Sequence, residues 1–263
     1  KQLRFRLTKK KLKPATVRHA LEVLRRLSNF AFKHNLCAGI PFVIEMPQVN
    51  NIQTEDLTSE QIDKLLHVLN EESDIQVANL VRFALFTGMR RGEIFNLKWS
   101  DINSQNKIIR IRTPKGGQDV TIPLNEPTEK VLTTHPNIGS DYVFPTPRNR
   151  NASITTNALL VAIRSLGIDK FTFTTHGFRS MASTRLNELD YRADVIELQL
   201  AHTQTNTVRV VYNRNEHLEE RRTMMQDWSD YLTTLKGITP TPSNSNSVNE
   251  SMEQYRKSKR KTF

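Results

Sequence analysis

TTHGFRSMASTRL, residues 174–186, combines two threonines, a histidine and an arginine in front of an apolar helical pattern. It places His176 and Arg179 three residues apart, directly after two threonines. Threonine is a favourable N-cap, so we predict that a helix begins at Thr175. Three apolar residues would then lie along its buried face: Met181, Ala182 and Leu186.

The start of such a helix suits a bound phosphate, because its free backbone N–H groups and partial positive charge favour an anion. Arg179 could add a bidentate contact to that phosphate, and His176 could transfer a proton beside it. Taken alone, the stretch favours the simpler interpretation of a surface histidine and a solvated arginine, since short motifs are weak evidence.

The composition excludes several classes of protein. The chain has 263 residues, enough for one large or two ordinary domains, and a single cysteine, Cys37. A disulfide framework or a cysteine-based zinc site is therefore not expected, and a reducing compartment fits. No apolar run approaches the roughly 18 residues of a membrane span. We expect a cytoplasmic protein without a membrane partner.

The positive charge is concentrated at one end of the chain. The net charge is +11, and residues 1–35 hold eleven lysines and arginines against one acid, Glu22. A basic arm followed by a nearly neutral body predicts that this segment lies along a polyanion, with nucleic acid the favoured partner. The alternative is a basic end that only improves solubility.

Two units are predicted from the first sixty residues. KPATVRHALEVLRRLSNFAFKHN, residues 13–35, indicates one amphipathic helix. Its helical-period apolar positions are Val17, Leu21, Leu24, Leu27 and Phe32. IPFVIEMPQVNNIQTED, residues 40–56, has two prolines and no helical period, which is typical of a linker. Thr58 and Gln61 then have capping-box spacing and predict the start of a second unit.

The rest of the chain predicts a mainly α fold with a small antiparallel β-sheet. A helix near residues 76–87 ends at Gly88, and KIIRIRT (107–113) and DVTIPL (119–124) predict a hairpin with Lys115 at its tip. Further helices are predicted at residues 155–166, 176–189, 193–201, 206–213 and 216–235. Residues 237–263 are polar and finally basic, so we expect a flexible tail.

Metal and nucleotide sites find no support in the motifs. There is no HExxH, no Cys/His cluster and no Asp-rich loop, and PKGGQ (114–118) lacks P-loop spacing. We therefore expect no metal and no cofactor. LFTGMRRGEIFNLKW, residues 85–99, places Arg90 where a new helix begins, with Glu93 close enough to orient it through a charge-assisted hydrogen bond.

Taken in order, these motifs make the chain resemble the tyrosine recombinases, or phage integrase family. TGMRRGEIFNLKWSDI (87–102), a lysine on a β-hairpin, THGFRSMASTRL (175–186) and IELQLAHTQTNTVRVVYNR (196–214) are similar to the motif blocks of that family. LEERRTMMQDWSDYL (218–232) is similar to integrases of satellite prophages and genomic islands.

The resemblance implies a tyrosine-recombinase-like catalytic domain over residues 57–236. Residues 1–45 would be part of a helical core-binding domain, with a linker over 46–56. It also implies the catalytic set: Arg90, Lys115, His176, Arg179, His202 and Tyr212.

Each residue of this set carries an implied role. Arg90 and Arg179 would bind the phosphate, and Tyr212 would attack it to form a 3′-phosphotyrosine. Lys115 would protonate the leaving oxygen. His176 would help remove the tyrosine proton and His202 would donate a hydrogen bond to the phosphate.

Other residues support the catalytic set, depart from the family pattern or are expected to contact DNA. Glu93 is assigned to support. Neighbouring helical residues point about 100° apart, so only one of the two adjacent arginines can face the site, and the family pattern selects Arg90 over Arg91. Ala201 replaces the usual glycine before His202, and the interval to the tyrosine is one residue longer than in many members. Contacts to DNA are expected from Lys9, Lys10, Lys11, Lys13, Arg18, Arg25, Arg91, Arg148 and Arg150.

The implied function is site-specific recombination that integrates or excises a prophage or genomic island. The resemblance also implies a bacterial nucleoid-associated or phage-encoded protein. Two alternatives remain open: type IB topoisomerase-like relaxation of DNA, and a catalytically silent DNA-binding regulator of the same fold. The expected partners are double-stranded attachment sites, a homotetramer on DNA (compatible with a monomer without DNA), and accessory DNA-bending or directionality proteins. The apolar face of residues 216–236 favours docking on a neighbouring protomer over folding back on its own domain.

Overall fold

A computed structural model of the chain describes residues 12–39, 42–49, 57–112, 119–155, 157–168, 173–200 and 217–235. The chain divides into two compact units, Lys1–Gln53 and Thr54–Phe263. In the described part of the chain, no helix is both long and apolar enough to cross a membrane.

The described part of the first unit is dominated by helix α1, Pro14–Lys33. Pro14 occupies the first turn, where its missing N–H costs nothing. The predicted helix is confirmed, but only some of its apolar positions are buried. Val17 and Leu21 are buried. The other predicted stripe positions are exposed: Leu24, Leu27 and Phe32.

The second unit is organised around one apolar helix. Helix α2, Ser59–Glu71, begins with the predicted capping box, in which Thr58 and Gln61 each donate a backbone N–H to the other's side chain. Helix α3, Ile75–Thr87, follows and is buried over most of its circumference. A helix that is apolar all round belongs in the centre of a domain. It ends at Gly88, as predicted.

A three-stranded antiparallel sheet flanks this core. Helix α4, Arg91–Phe95, leads through a 3₁₀ turn at Trp99–Asp101 into strands β1 (Ile102–Asn103), β2 (Ile108–Ile111) and β3 (Val120–Pro123). The strands are hydrogen-bonded in the order β1-β2-β3, with Ile109 opposite Ile122 and Ile111 opposite Val120. The predicted hairpin is confirmed, whereas its tip, residues 113–118, lies outside the described residues.

Three elements that follow the hairpin were absent from the sequence-based expectation. They are helix α5 (Glu126–Thr134) and the paired strands β4 (Pro145–Thr146) and β5 (Asn149–Ser153). The two strands are very short, and β5 is mostly exposed, so neither shows the alternation that identifies a strand.

Four further helices complete the described part of this unit: α6 (Ala158–Ser165), α7 (Gly177–Glu188), α8 (Ala193–Gln199) and α9 (Leu218–Thr234). All four match predicted helices. The helix predicted at residues 206–213 lies outside the described residues. Helix α3 packs against α2, α5, α6, α7 and α9.

Helix α9 belongs to the core of its own unit, and the expectation that it docks on a neighbouring protomer is wrong. Trp228 and Leu232 are fully buried. The Trp228 indole donates to the Leu85 carbonyl of α3 at 3.0 Å, and Asn125 donates to the Met225 carbonyl at 3.1 Å. Most of the large apolar side chains in the described part of α9 are therefore buried within its own unit.

Candidate active site

Gly88 shapes the turn from which the site is built. Its φ of 61° is left-handed, and its backbone N–H donates to the Ala84 carbonyl to end α3. A Cβ at this position would lie 3.2 Å from Leu200 Cδ2 and 3.3 Å from Ala182 Cβ. The glycine therefore permits both the backbone reversal and the close approach of α7 and the end of α8.

Arg90 follows that turn and is held by Glu93. The Arg90 backbone N–H donates to one Glu93 carboxylate oxygen at 2.9 Å, and its guanidinium donates to the other at 2.9 Å. The predicted charge-assisted hydrogen bond is confirmed. Arg90 is the extended N-cap of α4 rather than a helical residue, so the 100° argument for distinguishing it from Arg91 does not apply. Arg91 begins the helix and is exposed.

Arg179 is almost completely buried, with 3% of its surface exposed. Its guanidinium donates to the Gly88 carbonyl at 3.4 Å and to the Leu200 carbonyl. One arginine therefore joins the turn before Arg90 to the residue that precedes the segment carrying His202.

The guanidinium groups of Arg90 and Arg179 share one electrostatic environment. Burial lowers the pKa of Arg179 to about 10, and the positive charge of Arg90 contributes to this lowering, while Glu93 and Glu197 oppose it. Arg179 still carries its charge at neutral pH. An anion bound next to Arg179 would offset the repulsion that its guanidinium experiences from Arg90.

His176 stands at the start of α7, and the helix begins later than predicted. The helix runs from Gly177, with His176 in the N-cap position, so the assignment of Thr175 as N-cap is wrong. The backbone N–H of His176 instead donates to the Thr174 hydroxyl at 3.2 Å. This threonine turn leaves the imidazole exposed. The exposed ring lies one helical turn before Arg179 on the same helix.

Gly177 is required by an aromatic contact that the sequence did not indicate. Phe173 and Phe178 meet edge to face, with ring centroids 4.8 Å apart. A Cβ at Gly177 would lie 2.5 Å from Phe173 Cε2, which no real side chain tolerates. The ring of Phe173 therefore packs against the backbone at Gly177, the residue that follows His176.

Arg164 supports the approach to α7 and was also missed. Its guanidinium donates to the Ile168 carbonyl at 2.7 Å and to the Phe173 carbonyl at 2.9 Å. A single arginine at the end of a helix is no signal in one sequence, because surface arginines are common there. Its role depends on a contact with a residue nine positions later in the chain, which a single sequence does not indicate.

The structure brings together Arg90, Glu93, Arg179 and the start of the helix that carries His176. Three predicted catalytic residues, Lys115, His202 and Tyr212, lie outside the described residues. The residues that border in sequence the two segments containing them, 112 and 119 for the first and 200 and 217 for the second, are described.

The basic residues expected to contact DNA divide in the same way. Lys9, Lys10 and Lys11 lie outside the described residues. The others are exposed: Lys13, Arg18, Arg25, Arg91, Arg148 and Arg150. Arg148 and Arg150 lie on the β4–β5 hairpin, and Arg18 is paired with Glu22 at 3.0 Å. Over the described ranges, no three His, Cys, Asp or Glu side chains form a cluster that could hold a metal ion.

Comparisons with known proteins agree on one family. The family model described as the phage integrase family matches residues 55–219. Prophage integrase IntA of Escherichia coli K12 is 32% identical over 241 residues, which cover 85% of this chain and 57% of the relative. The chain thus spans little more than half the length of that curated relative.

Two solved structures share the fold. The Tn1549 transposon integrase in complex with circular intermediate DNA has a TM-score of 0.65 at 15% identity, covering 95% of this chain and 82% of that one. The lambda integrase tetramer bound to a Holliday junction has a TM-score of 0.58 at 18% identity, covering 75% of this chain and 61% of that one.

Proposed function

This chain belongs to the phage integrase family, and we propose that it is a site-specific DNA recombinase that works through a 3′-phosphotyrosine intermediate. The single observation that carries the proposal is that the buried Arg179 donates to the Gly88 carbonyl, two residues before Arg90, whose guanidinium is oriented by Glu93. Two positive charges held in this way suit a phosphate whose own negative charge grows during reaction.

In the proposed mechanism the two arginines bind the non-bridging oxygens of one DNA phosphate. Their contacts strengthen as phosphorus becomes five-coordinate, so they stabilise the transition state more than the ground state. The phenol oxygen of Tyr212 attacks phosphorus, a new P–O bond forms to the tyrosine, and the bond from phosphorus to the 5′ oxygen breaks. The 5′-hydroxyl of the cleaved strand from the other duplex then attacks the phosphotyrosine. The bond from phosphorus to the tyrosine oxygen breaks, and the phosphodiester is restored.

Protons move at both ends of this displacement. His176 helps to remove the proton of Tyr212, and its exposed position at the start of α7 leaves the ring available for that role. Lys115 protonates the 5′ oxygen as it leaves, and His202 donates a hydrogen bond to the phosphate. Because the energy of the phosphodiester is kept in the phosphotyrosine, rejoining requires no ATP.

The proposed partners follow from the same chemistry. Exchange between two duplexes requires four nucleophiles, so we assign the active form to a homotetramer on double-stranded attachment sites of a prophage or genomic island. The lambda integrase tetramer on a Holliday junction supports this assembly. Accessory DNA-bending or directionality proteins and a cytoplasmic location belong to the same proposal.

A covalent trapping experiment tests the proposal. The probe is a duplex spanning the junction between the mobile element and the host chromosome, nicked close to the cleavage point so that the released fragment diffuses away. We expect a protein–DNA adduct that survives denaturing electrophoresis. Tyr212→Phe should abolish the adduct and leave DNA affinity nearly unchanged, since it removes a nucleophile and no charge. Tyr142→Phe, which removes a half-buried hydroxyl elsewhere, is the matched control.

The outcomes separate the proposed recombinase from its two alternatives. Absence of an adduct with the intact protein would contradict the proposal and favour a silent DNA-binding protein. A second assay uses two plasmids that each carry an attachment site. Recombinant products support a recombinase, whereas relaxation alone would indicate a topoisomerase.

A further inference from the structure

Two adjacent arginines on helix α9 contact the β2–β3 hairpin through its backbone. The Arg222 guanidinium donates to the Asn106 carbonyl at 2.6 Å and to the Lys107 carbonyl at 3.2 Å. Arg221 donates to the Thr121 carbonyl on β3 at 2.8 Å. These contacts join positions about a hundred residues apart in the chain, so local sequence does not explain them.

The carbonyl of Lys107 lies at the base of the hairpin. It accepts the backbone N–H of Leu124 at 2.9 Å, which closes the hairpin where β2 begins and β3 ends. Lys107 has a φ of 51°, so its backbone is in a left-handed turn that few side chains favour. Arg222 donates to the same carbonyl oxygen, and it therefore braces a turn that is conformationally costly on its own.

Arg221 anchors the other strand from inside the protein. Its side chain is buried, and burial together with the charge of Arg222 lowers its pKa to about 10. A buried guanidinium is retained at a cost in desolvation, so its contact with the backbone of β3 is a fixed point rather than a surface contact. The base of the hairpin is thereby attached to α9 on both strands.

The two elements that Arg221 and Arg222 connect adjoin the proposed general acid and the proposed nucleophile. In sequence, β2 and β3 are joined by residues 113–118, which contain Lys115, and α9 follows residues 201–216, which contain Tyr212. A shift of α9 relative to the hairpin would change the position of the lysine relative to the phosphate. Displacements of about 1 Å cost around a hundredfold in rate when a reacting group must be oriented.

We propose that Arg222, supported by Arg221, is a positioning residue that holds the base of the hairpin so that Lys115 reaches the leaving 5′ oxygen. The inference rests on the proposed function and extends it to residues outside the motif blocks. Arginine is needed because its rigid fork reaches two successive carbonyls, which the single ammonium of lysine cannot bridge in the same way.

The test uses two versions of the nicked junction duplex that differ in one atom. In one, the scissile phosphate has its ordinary 5′ oxygen; in the other, sulfur replaces that bridging oxygen. Cleavage then releases a thiolate, which needs no proton because a thiol has a pKa of only about 8.5. A variant that has lost delivery of the general acid is rescued by sulfur, whereas a variant that has lost phosphate binding or folding is not.

The central variant is Arg222→Lys, which keeps the charge. We expect adduct formation on the oxygen substrate to fall at least about tenfold, and to return to within about threefold of wild type on the sulfur substrate. Lys115→Ala should show the same pattern more strongly. Arg192→Lys is the matched control, because Arg192 contacts Asp194 and Glu220 and makes no described contact with the hairpin. It should cleave both substrates at the wild-type rate.

Two results overturn the inference while leaving the proposed function in place. Arg222→Lys could cleave the oxygen substrate at the wild-type rate, or it could be equally impaired on both substrates while Lys115→Ala is rescued. If Lys115→Ala itself is not rescued by sulfur, the lysine is not the general acid, and the inference falls with that assignment. If the wild-type protein forms no adduct with either substrate, the proposed function fails first. Arg222→Gln, measured with the same substrate pair, shows whether charge contributes beyond geometry.

Discussion

The carboxylate of Glu93 binds Arg90 twice, once at its backbone N–H and once at its guanidinium, each at 2.9 Å. One carboxylate therefore closes the first turn of α4 and fixes the direction of the arginine. The local fold and the orientation of a proposed phosphate ligand depend on the same side chain.

Glu93→Gln is expected to reduce cleavage more than stability. The amide keeps one acceptor for the backbone but loses the charged bond to the guanidinium, so we expect adduct formation to fall about tenfold to a hundredfold. The free energy of unfolding should drop by only about 1 kcal/mol, the usual value of a helix cap. Urea denaturation and the trapping assay measure the two effects. Glu188→Gln, which alters the glutamate bound to Arg185 at 2.8 Å, serves as the control for cleavage.

Gly177→Ala is expected to destabilise the second unit by about 1–3 kcal/mol, as overpacking of a core does. The new methyl group would meet the Phe173 ring at 2.5 Å. Gly92→Ala is the matched control, because nothing lies within 4 Å of a Cβ there, and alanine favours a helix. Equal urea midpoints for the two variants would contradict the packing argument.

Trp228→Ala is expected to cost about 3–5 kcal/mol, because it empties a buried aromatic site and leaves the Leu85 carbonyl without its donor. If α9 is a core helix of its own unit, the urea midpoint of the wild-type protein without DNA is independent of protein concentration. A midpoint that rises with protein concentration would point instead to exchange of α9 between protomers.

His135 makes stability depend on pH in the acidic range. It is buried, its Nδ1 accepts a hydrogen bond from the Asn79 side-chain amide nitrogen at 3.3 Å, and burial lowers its pKa below the ordinary value of 6.5. Below that value the unfolded chain binds a proton that the native ring does not. Stability is therefore lost as pH falls, by at most about 1.4 kcal/mol per pH unit. Urea unfolding at pH 7 and pH 5 should show a smaller loss in His135→Gln than in wild type.

The basic arm should contribute to DNA binding through counterion release. Arg25 is exposed, whereas Arg18 is engaged by Glu22 at 3.0 Å. Arg25→Gln is expected to reduce the slope of log K against log salt by about 0.9, and Arg18→Gln by less, since its charge is already partly neutralised. Binding isotherms on the junction duplex over a range of salt concentrations measure both slopes. If neither slope changes, these two arginines are not in contact with DNA.

Much of the fold was accessible from local pattern. The capping box at Thr58, the glycine that ends α3 and the alternating strands of the hairpin each act within a few residues, so their sequence signal is complete where it occurs. The bond between Arg90 and Glu93 was predictable for the same reason. The N-cap of α7 is His176, one residue after the predicted Thr175, because threonine is among the preferred N-cap residues and histidine is not.

Local sequence was enough to place most of the helices and the β2–β3 hairpin, because periodicity, capping and turn chemistry are short-range. It did not predict β1, α5, β4 or β5. Three features follow from long-range contacts that no local pattern contains. Arg179 is buried against the Gly88 turn that leads into Arg90, α9 lies in the core of its own unit, and Arg222 reaches the base of a hairpin 115 residues earlier. Such contacts depend on which helices pack against the central apolar helix α3. This packing is driven by the burial of apolar surface from several elements at once, so no single stretch of sequence predicts it.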